Sequence, residues 1–208
     1  MLYYKTIDPK TLELLKKLQQ NNLFKDLRLV GGTALALLIG HRISIDIDLF
    51  GRIDNDKFEI NSNLKKIGLL KTIHHTENIH IYSLDGIKTD IVNYPYPWLD
   101  NKISKDNITL ASTKDIAAMK LSAIAGRGSK KDFIDIYYLL KIYTLGEMLQ
   151  FYESKYDDGS KFMVLKSLAY FNDADEDLMP KMFADIDWKS IKQFIKKRLN
   201  DYLLNSTE

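Results

Sequence analysis

The sequence predicts an α+β protein in which a mixed sheet with helices is followed by a C-terminal helical bundle. Three observations predict it. Short runs with period-two alternation recur before residue 98, glycine turns separate them, and helical spacing of apolar residues takes over after Pro95 and Pro97. The change of character places a boundary within residues 98 to 110, dividing the chain into an α/β domain over 1–105 and a helical domain over 106–208.

Taken in order, Pro9 opens an amphipathic helix over 9–20 that carries Leu12, Leu15 and Leu18 at helical spacing. Leu27-Arg28-Leu29-Val30 alternates as a strand and runs into Gly31-Gly32. Thr33 to Ile39 then reads as a buried helix closed by Gly40. Ser44 to Phe50 alternates again, as a strand with one buried face does. A helix over 55–67 precedes strands near 69–74, 79–84 and 87–93, the last two joined by an Asp85-Gly86 hairpin. Helical periodicity then covers 113–125, 130–143, 145–154, 160–171 and 188–204.

Composition narrows the functional classes. Thirty Lys and Arg against 28 Asp and Glu leave a net charge of +2, which excludes a uniformly basic nucleic-acid coat but not a local basic groove. With no cysteine, disulfides and thiolate metal sites are excluded, and a reducing cytoplasm is the expected location. The first residues do not read as a cleavable signal. No apolar run approaches the roughly 20 residues that span a bilayer, so no membrane partner is expected.

Chemistry concentrates between residues 31 and 48. Alternation puts Asp46 and Asp48 on one strand face about 6–7 Å apart, opposite Ile45, Ile47 and Leu49. Such a carboxylate pair suits a hard divalent ion that also holds phosphate oxygens. An isolated Asp-x-Asp can equally be a solvated strand face. Upstream, Gly31 and Gly32 stand at a strand end and helix start, where main-chain N–H groups and the helix dipole favour a phosphate. Thr33 either caps that helix or bonds a phosphate oxygen. Arg42 is a cation just before the acidic strand.

A hydrophobic residue followed by Gly31-Gly32-Thr33 and, roughly a dozen residues later, Asp46-Ile47-Asp48 resembles the signature of the polymerase-β nucleotidyltransferase superfamily. The longer strings Gly31-Gly32-Thr33-Ala34-Leu35-Ala36 and His41-Arg42-Ile43-Ser44-Ile45-Asp46-Ile47-Asp48-Leu49-Phe50 resemble the AbiEii/AbiGii toxin family, effectors of abortive-infection toxin–antitoxin systems. Asp115 to Arg127, with Lys130-Lys131-Asp132 and Asp135, is similar to a later Lys, Arg, Lys-Asp and Asp pattern of that family.

The resemblance implies a polymerase-β-like fold whose helical domain completes the active-site cleft. It implies Asp46, Asp48 and Asp90 as metal ligands for Mg²⁺, two ions being expected and Mn²⁺ an alternative. It implies Gly31, Gly32, Thr33, Arg42, Ser44, Lys120 and Arg127 as NTP-binding residues. Lys120 and Asp132 join the three metal aspartates in the catalytic set. Ile116, Lys120, Ala123 and Arg127 share a helical stripe, so Lys120 stands on an otherwise apolar face, where replacement by methionine would relieve a burial cost. Asp135 lies one helical turn from Asp132 and could take the same role.

The activity implied is transfer of an NMP from an NTP to an acceptor hydroxyl, by a toxin acting on RNA such as tRNA and paired with an antitoxin encoded nearby. A protein AMP- or UMP-transferase and a non-catalytic nucleotide- or partner-binding module are the other readings. His41, His74, His75 and His80 lack zinc-ligand spacing. Lys192, Lys196, Lys197 and Arg198 form a basic run that reads as a solvated helix face or a contact to an RNA backbone.

Overall fold

A computed structural model describes residues 1–205, which form two compact units. The first comprises Met1–Tyr96 and Asn101–Ser112, and the second Pro97–Asp100 and the chain from Thr113 onward.

The first unit opens with α1 (Pro9–Gln20), where Pro9 sits at the first helical position and the Asp8 carboxylate accepts the Lys10 amide at 2.9 Å. The strand β1 (Arg28–Leu29) leads into α2 (Gly31–Ile39), which ends at Gly40 in a left-handed conformation of φ 72°. Next come β2 (Ile47–Gly51), α3 (Lys57–Ile67), β3 (Leu70–His75), β4 (Ile79–Leu84) and β5 (Ile87–Asn93). A hairpin of β6 (Ile103–Lys105) and β7 (Ile108–Leu110) completes a seven-stranded sheet of order β3-β4-β5-β2-β1-β7-β6.

Within the sheet β2 runs parallel to β5 and antiparallel to β1, and β1 runs parallel to β7. Ile47, Leu49 and Ile91 are fully buried, while the residues between them are only partly covered, which is the period-two pattern of a sheet with one packed face. Asp85 and Gly86 both have positive φ, as a two-residue hairpin turn requires. The same signature at Asp106 and Asn107 marks the β6–β7 turn. That hairpin falls where the sequence shows only a boundary, because its three-residue strands are too short to display a period.

One strand begins later than its alternation suggests. Ser44 makes an isolated parallel bridge with Ile7, and its amide donates to the Thr6 carbonyl at 2.9 Å. Residues 44–46 therefore follow the N-terminal segment, Ile45 is left exposed, and the β2 ladder starts at Ile47.

The second unit is helical: α4 (Thr113–Gly126), α5 (Lys130–Leu139), α6 (Leu145–Lys155), α7 (Lys161–Leu168), the single turn α8 (Asn172–Asp175) and α9 (Trp188–Asn205). The helix α4 packs against α5, α6 and α7, so it is apolar on several sides rather than along one stripe. Phe133 lies tilted against Phe171 at 4.6 Å and meets Trp188 edge-on at 6.0 Å, closing α5 over α8 and α9. Thr144 and Glu147 form a reciprocal capping box at the start of α6. The fully buried Lys155 donates to Asp115 at 2.7 Å and to the Pro97 carbonyl at 2.6 Å, while Asp115 accepts the Leu99 amide at 2.9 Å. This pair holds segment 97–100 on the helices.

Candidate active site

In the first unit, the turn between β1 and α2 is built around close backbone approach. Gly31 has φ 67°, and a Cβ there would collide with the Asp48 carboxylate. The Val30 amide donates to the Asp48 carbonyl at 2.9 Å, which ties the turn to β2. Gly32 is equally restricted, since a Cβ on it would overlap the Arg42 guanidinium and come within 3.4 Å of the Ser44 hydroxyl. Val30, at the N-cap of α2, makes no side-chain hydrogen bond to the first turn, and a helix N-terminus is an end that favours an anion.

Thr33 does not cap the helix. Its hydroxyl donates to the Asp46 carbonyl and lies 2.9 Å from the Ser44 hydroxyl, bracing the segment that carries Asp46. Arg42 is 3% exposed and donates to the Ile43 carbonyl at 3.1 Å, so its guanidinium is held beside Gly32 rather than extended into solvent. Gly31, Gly32, Thr33, Arg42 and Ser44 therefore form one connected cluster.

Asp48 and Asp90 are register partners on the parallel pair β2 and β5, which sets their Cα atoms on adjacent strands about 5 Å apart. Asp46 precedes β2 by one residue. Both oxygens of Asp90 accept from the Lys88 ammonium, at 2.7 and 2.6 Å. Among the described residues, no group of three or more His, Asp or Glu side chains is arranged to hold a metal ion by itself. The oxygen donors of Asp48 and Asp90 nonetheless fit a hard divalent cation, and one cation, the Lys88 ammonium, already sits on Asp90.

In the second unit, Lys120 of α4 is 4% exposed and is met by two fully buried carboxylates of α5, Asp132 at 2.9 Å and Asp135 at 2.6 Å. The apolar stripe of the sequence thus acquires polar partners from the next helix. Arg127 donates to both oxygens of Asp132 at 2.8 and 3.0 Å, and the Ser129 hydroxyl donates at 2.7 Å. Burial pushes the Asp132 carboxyl up, but Lys120, Arg127 and Ser129 together outweigh burial and hold it well below the usual carboxylate range. Asp132 is accordingly an anion that orients two cations.

The sequence reading passed over two of these groups. Lys88 stands two residues before Asp90 on one strand, so period-two alternation could have paired them. Ser129 precedes Asp132 by three residues, the spacing at which a helix-start hydroxyl meets an acid of the first turn.

Comparison with known proteins places this arrangement. The model of the nucleotidyl transferase AbiEii toxin family, of type IV toxin–antitoxin systems, matches residues 13–100 and 79–202. The chain belongs to the AbiEii family. An uncharacterized protein of Aquifex aeolicus (strain VF5) is 36% identical over 201 residues, covering 93% of this chain and 96% of that one. The fold is similar to that of JHP933 from Helicobacter pylori, with a TM-score of 0.56, 15% identity and coverage of 97% and 99% of the two chains. It is also similar to MenT4, a nucleotidyltransferase toxin of Mycobacterium tuberculosis H37Rv, with a TM-score of 0.59, 14% identity and coverage of 89% and 79%.

Membership of the AbiEii family makes the chain an enzyme, a nucleotidyltransferase with an NTP as substrate. The mixed sheet followed by helices is the fold its structural relatives share. No described helix is long and apolar enough to cross a membrane.

Proposed function

We propose that this AbiEii protein is a Mg²⁺-dependent toxin that transfers an NMP from an NTP to a hydroxyl of RNA, with tRNA the acceptor class. The observation that carries the reading is the register match of Asp48 with Asp90, with Gly31 pressed against the Asp48 carboxylate. Two acids on adjacent strands beside a glycine turn supply both halves of a metal–triphosphate site.

In this reading Asp46, Asp48 and Asp90 hold metal, and when bound the metal offsets charge on the α-phosphate and the leaving pyrophosphate. The α2 N-terminus at Gly31 and Gly32, with Arg42 and Ser44, holds phosphate oxygens, while Thr33 fixes the segment bearing Asp46. Lys120 and Arg127, both paired with Asp132, are the further cations proposed for NTP binding. The acceptor oxygen attacks the α-phosphorus, the bond to the bridging oxygen of pyrophosphate breaks, and the hydroxyl proton passes to a carboxylate. Asp90 is the acid assigned that proton. A reducing cytoplasm and a cognate antitoxin belong to the same proposal.

The test is incubation of wild type and Asp48→Asn with each labelled NTP and cell extract, followed by RNase or protease digestion. Label in an RNase-sensitive product, present with wild type and absent with Asp48→Asn, is expected. Protease-sensitive label would make the chain a protein NMP-transferase. Equal labelling by both proteins would remove Asp48 from the chemistry.

A further inference from the structure

The ammonium on Asp90 lies outside the family pattern carried by the glycine turn, the Asp-x-Asp and the Lys120 block. Lys88 and Asp90 are two residues apart on β5 and share one face of the sheet. The ammonium contacts both carboxylate oxygens, at 2.7 and 2.6 Å, with the Lys88 side chain 44% exposed and the Asp90 side chain 17% exposed. On the β4 side the register partners are Ser83 and Ile81, neither of them charged. On the β2 side Asp90 faces Asp48. The lysine thus sits on one of the acids proposed for metal, whose register partner Asp48 is another.

We propose that Lys88 is the resident counter-cation of this acidic site, displaced from Asp90 by the divalent ion, so that metal loading is a competition between an ammonium and a dication. The inference rests on the metal-site reading given above. A tethered ammonium neutralises one carboxylate, whereas a divalent ion shared by Asp48 and Asp90 relieves the repulsion of both. Lys88 can leave because its four-carbon stem is flexible and nearly half of it is already in solvent. The consequence is a site that holds a bare ion weakly and keeps Asp90 compensated until metal arrives.

The test measures Mn²⁺ binding to the full-length chain without nucleotide, by electron paramagnetic resonance of the free ion. Wild type, Lys88→Met, Lys88→Arg, Asp48→Asn and Asp90→Asn are compared beside their metal-free melting curves. Lys88→Met is expected to bind Mn²⁺ about fivefold more tightly, the scale of one partly exposed ion pair. Lys88→Arg should match wild type, because the competing charge remains. Both asparagine variants should lose binding. If the asparagine variants lose Mn²⁺ while Lys88→Met binds it no more tightly than wild type, the competition is overturned and the metal site stands. If wild type binds no Mn²⁺, or the asparagine variants bind it equally well, the metal site itself fails and the proposal falls with it.

Discussion

Gly31 and Asp48 occupy one space: a methyl group on the glycine would stand where the aspartate carboxylate lies, and the glycine φ of 67° disfavours any L side chain. The β1–α2 turn and the acidic strand are therefore mutually fitted. Gly31→Ala should lose about 1–3 kcal/mol of stability from the left-handed backbone and the displaced carboxylate together. Nucleotidyl transfer should fall more than tenfold, since Asp48 is moved rather than removed. Denaturant melts and single-turnover transfer check both, and full transfer by the alanine variant would show that the position of Asp48 does not matter.

Lys120→Met should destabilise the protein by about 3–5 kcal/mol, because it leaves the buried carboxylates of Asp132 and Asp135 short of their shared cation. The relief of burial suggested by the apolar stripe is reversed by these contacts. Asp132 in wild type is held below its unfolded value, so its contribution is present above about pH 4 and lost only in stronger acid. In the variant the uncompensated acids favour protonation, and stability should rise relative to wild type as pH falls from 7 to 5. Urea midpoints across that range decide it, and adding Asp135→Asn should recover part of the loss.

His75 and His80 are register partners on β3 and β4, with rings stacked at 4.5 Å and their Nδ1 atoms 2.5 Å apart. Burial lowers both pKa values, and the positive charges of Lys57 and a neighbouring histidine push the same way. Folding thus favours the neutral rings. Stability should be full above the unfolded value of about 6.5 and decline as pH drops through it, because the unfolded chain takes up protons first. Melting temperature from pH 7.5 to 5.5 should fall in wild type and fall less in His75→Gln/His80→Gln. Equal slopes would assign the pH dependence to other groups.

The Tyr82 hydroxyl is fully buried with no hydrogen-bond partner, and burial raises its pKa to about 12. Tyr82→Phe keeps the ring and removes an unsatisfied polar atom, so stability should stay level or rise by about 1 kcal/mol. A chemical-denaturation midpoint lower than wild type would mean that the hydroxyl has a partner in solution.

Local chemistry made much of the frame legible. Pro9 after Asp8, Gly40 after Ile39 and Asp85-Gly86 each carry their turn or cap geometry within a few residues, so a helix start, a helix end and a hairpin can be read without knowing what packs on them. Ile47 and Leu49 likewise announce a buried strand face. The same logic misplaced the strand start, because Ile45 alternates correctly yet is exposed where Ser44 is drawn to Ile7. The β6–β7 hairpin escaped notice for want of length.

By itself the sequence determined the kinds of element, their order, the glycine turn before an acidic strand and the motif strings that mark the family, because periodicity, turn chemistry and motif spacing are properties of neighbouring residues. Only the tertiary structure decided that Asp48 lies opposite Asp90, that Lys88 closes on Asp90, and that Lys120 shares its ammonium with Asp132 and Asp135. Strand register and helix–helix apposition join residues far apart in the chain, and the burial and repulsion that select one pairing over another exist only once those segments have met.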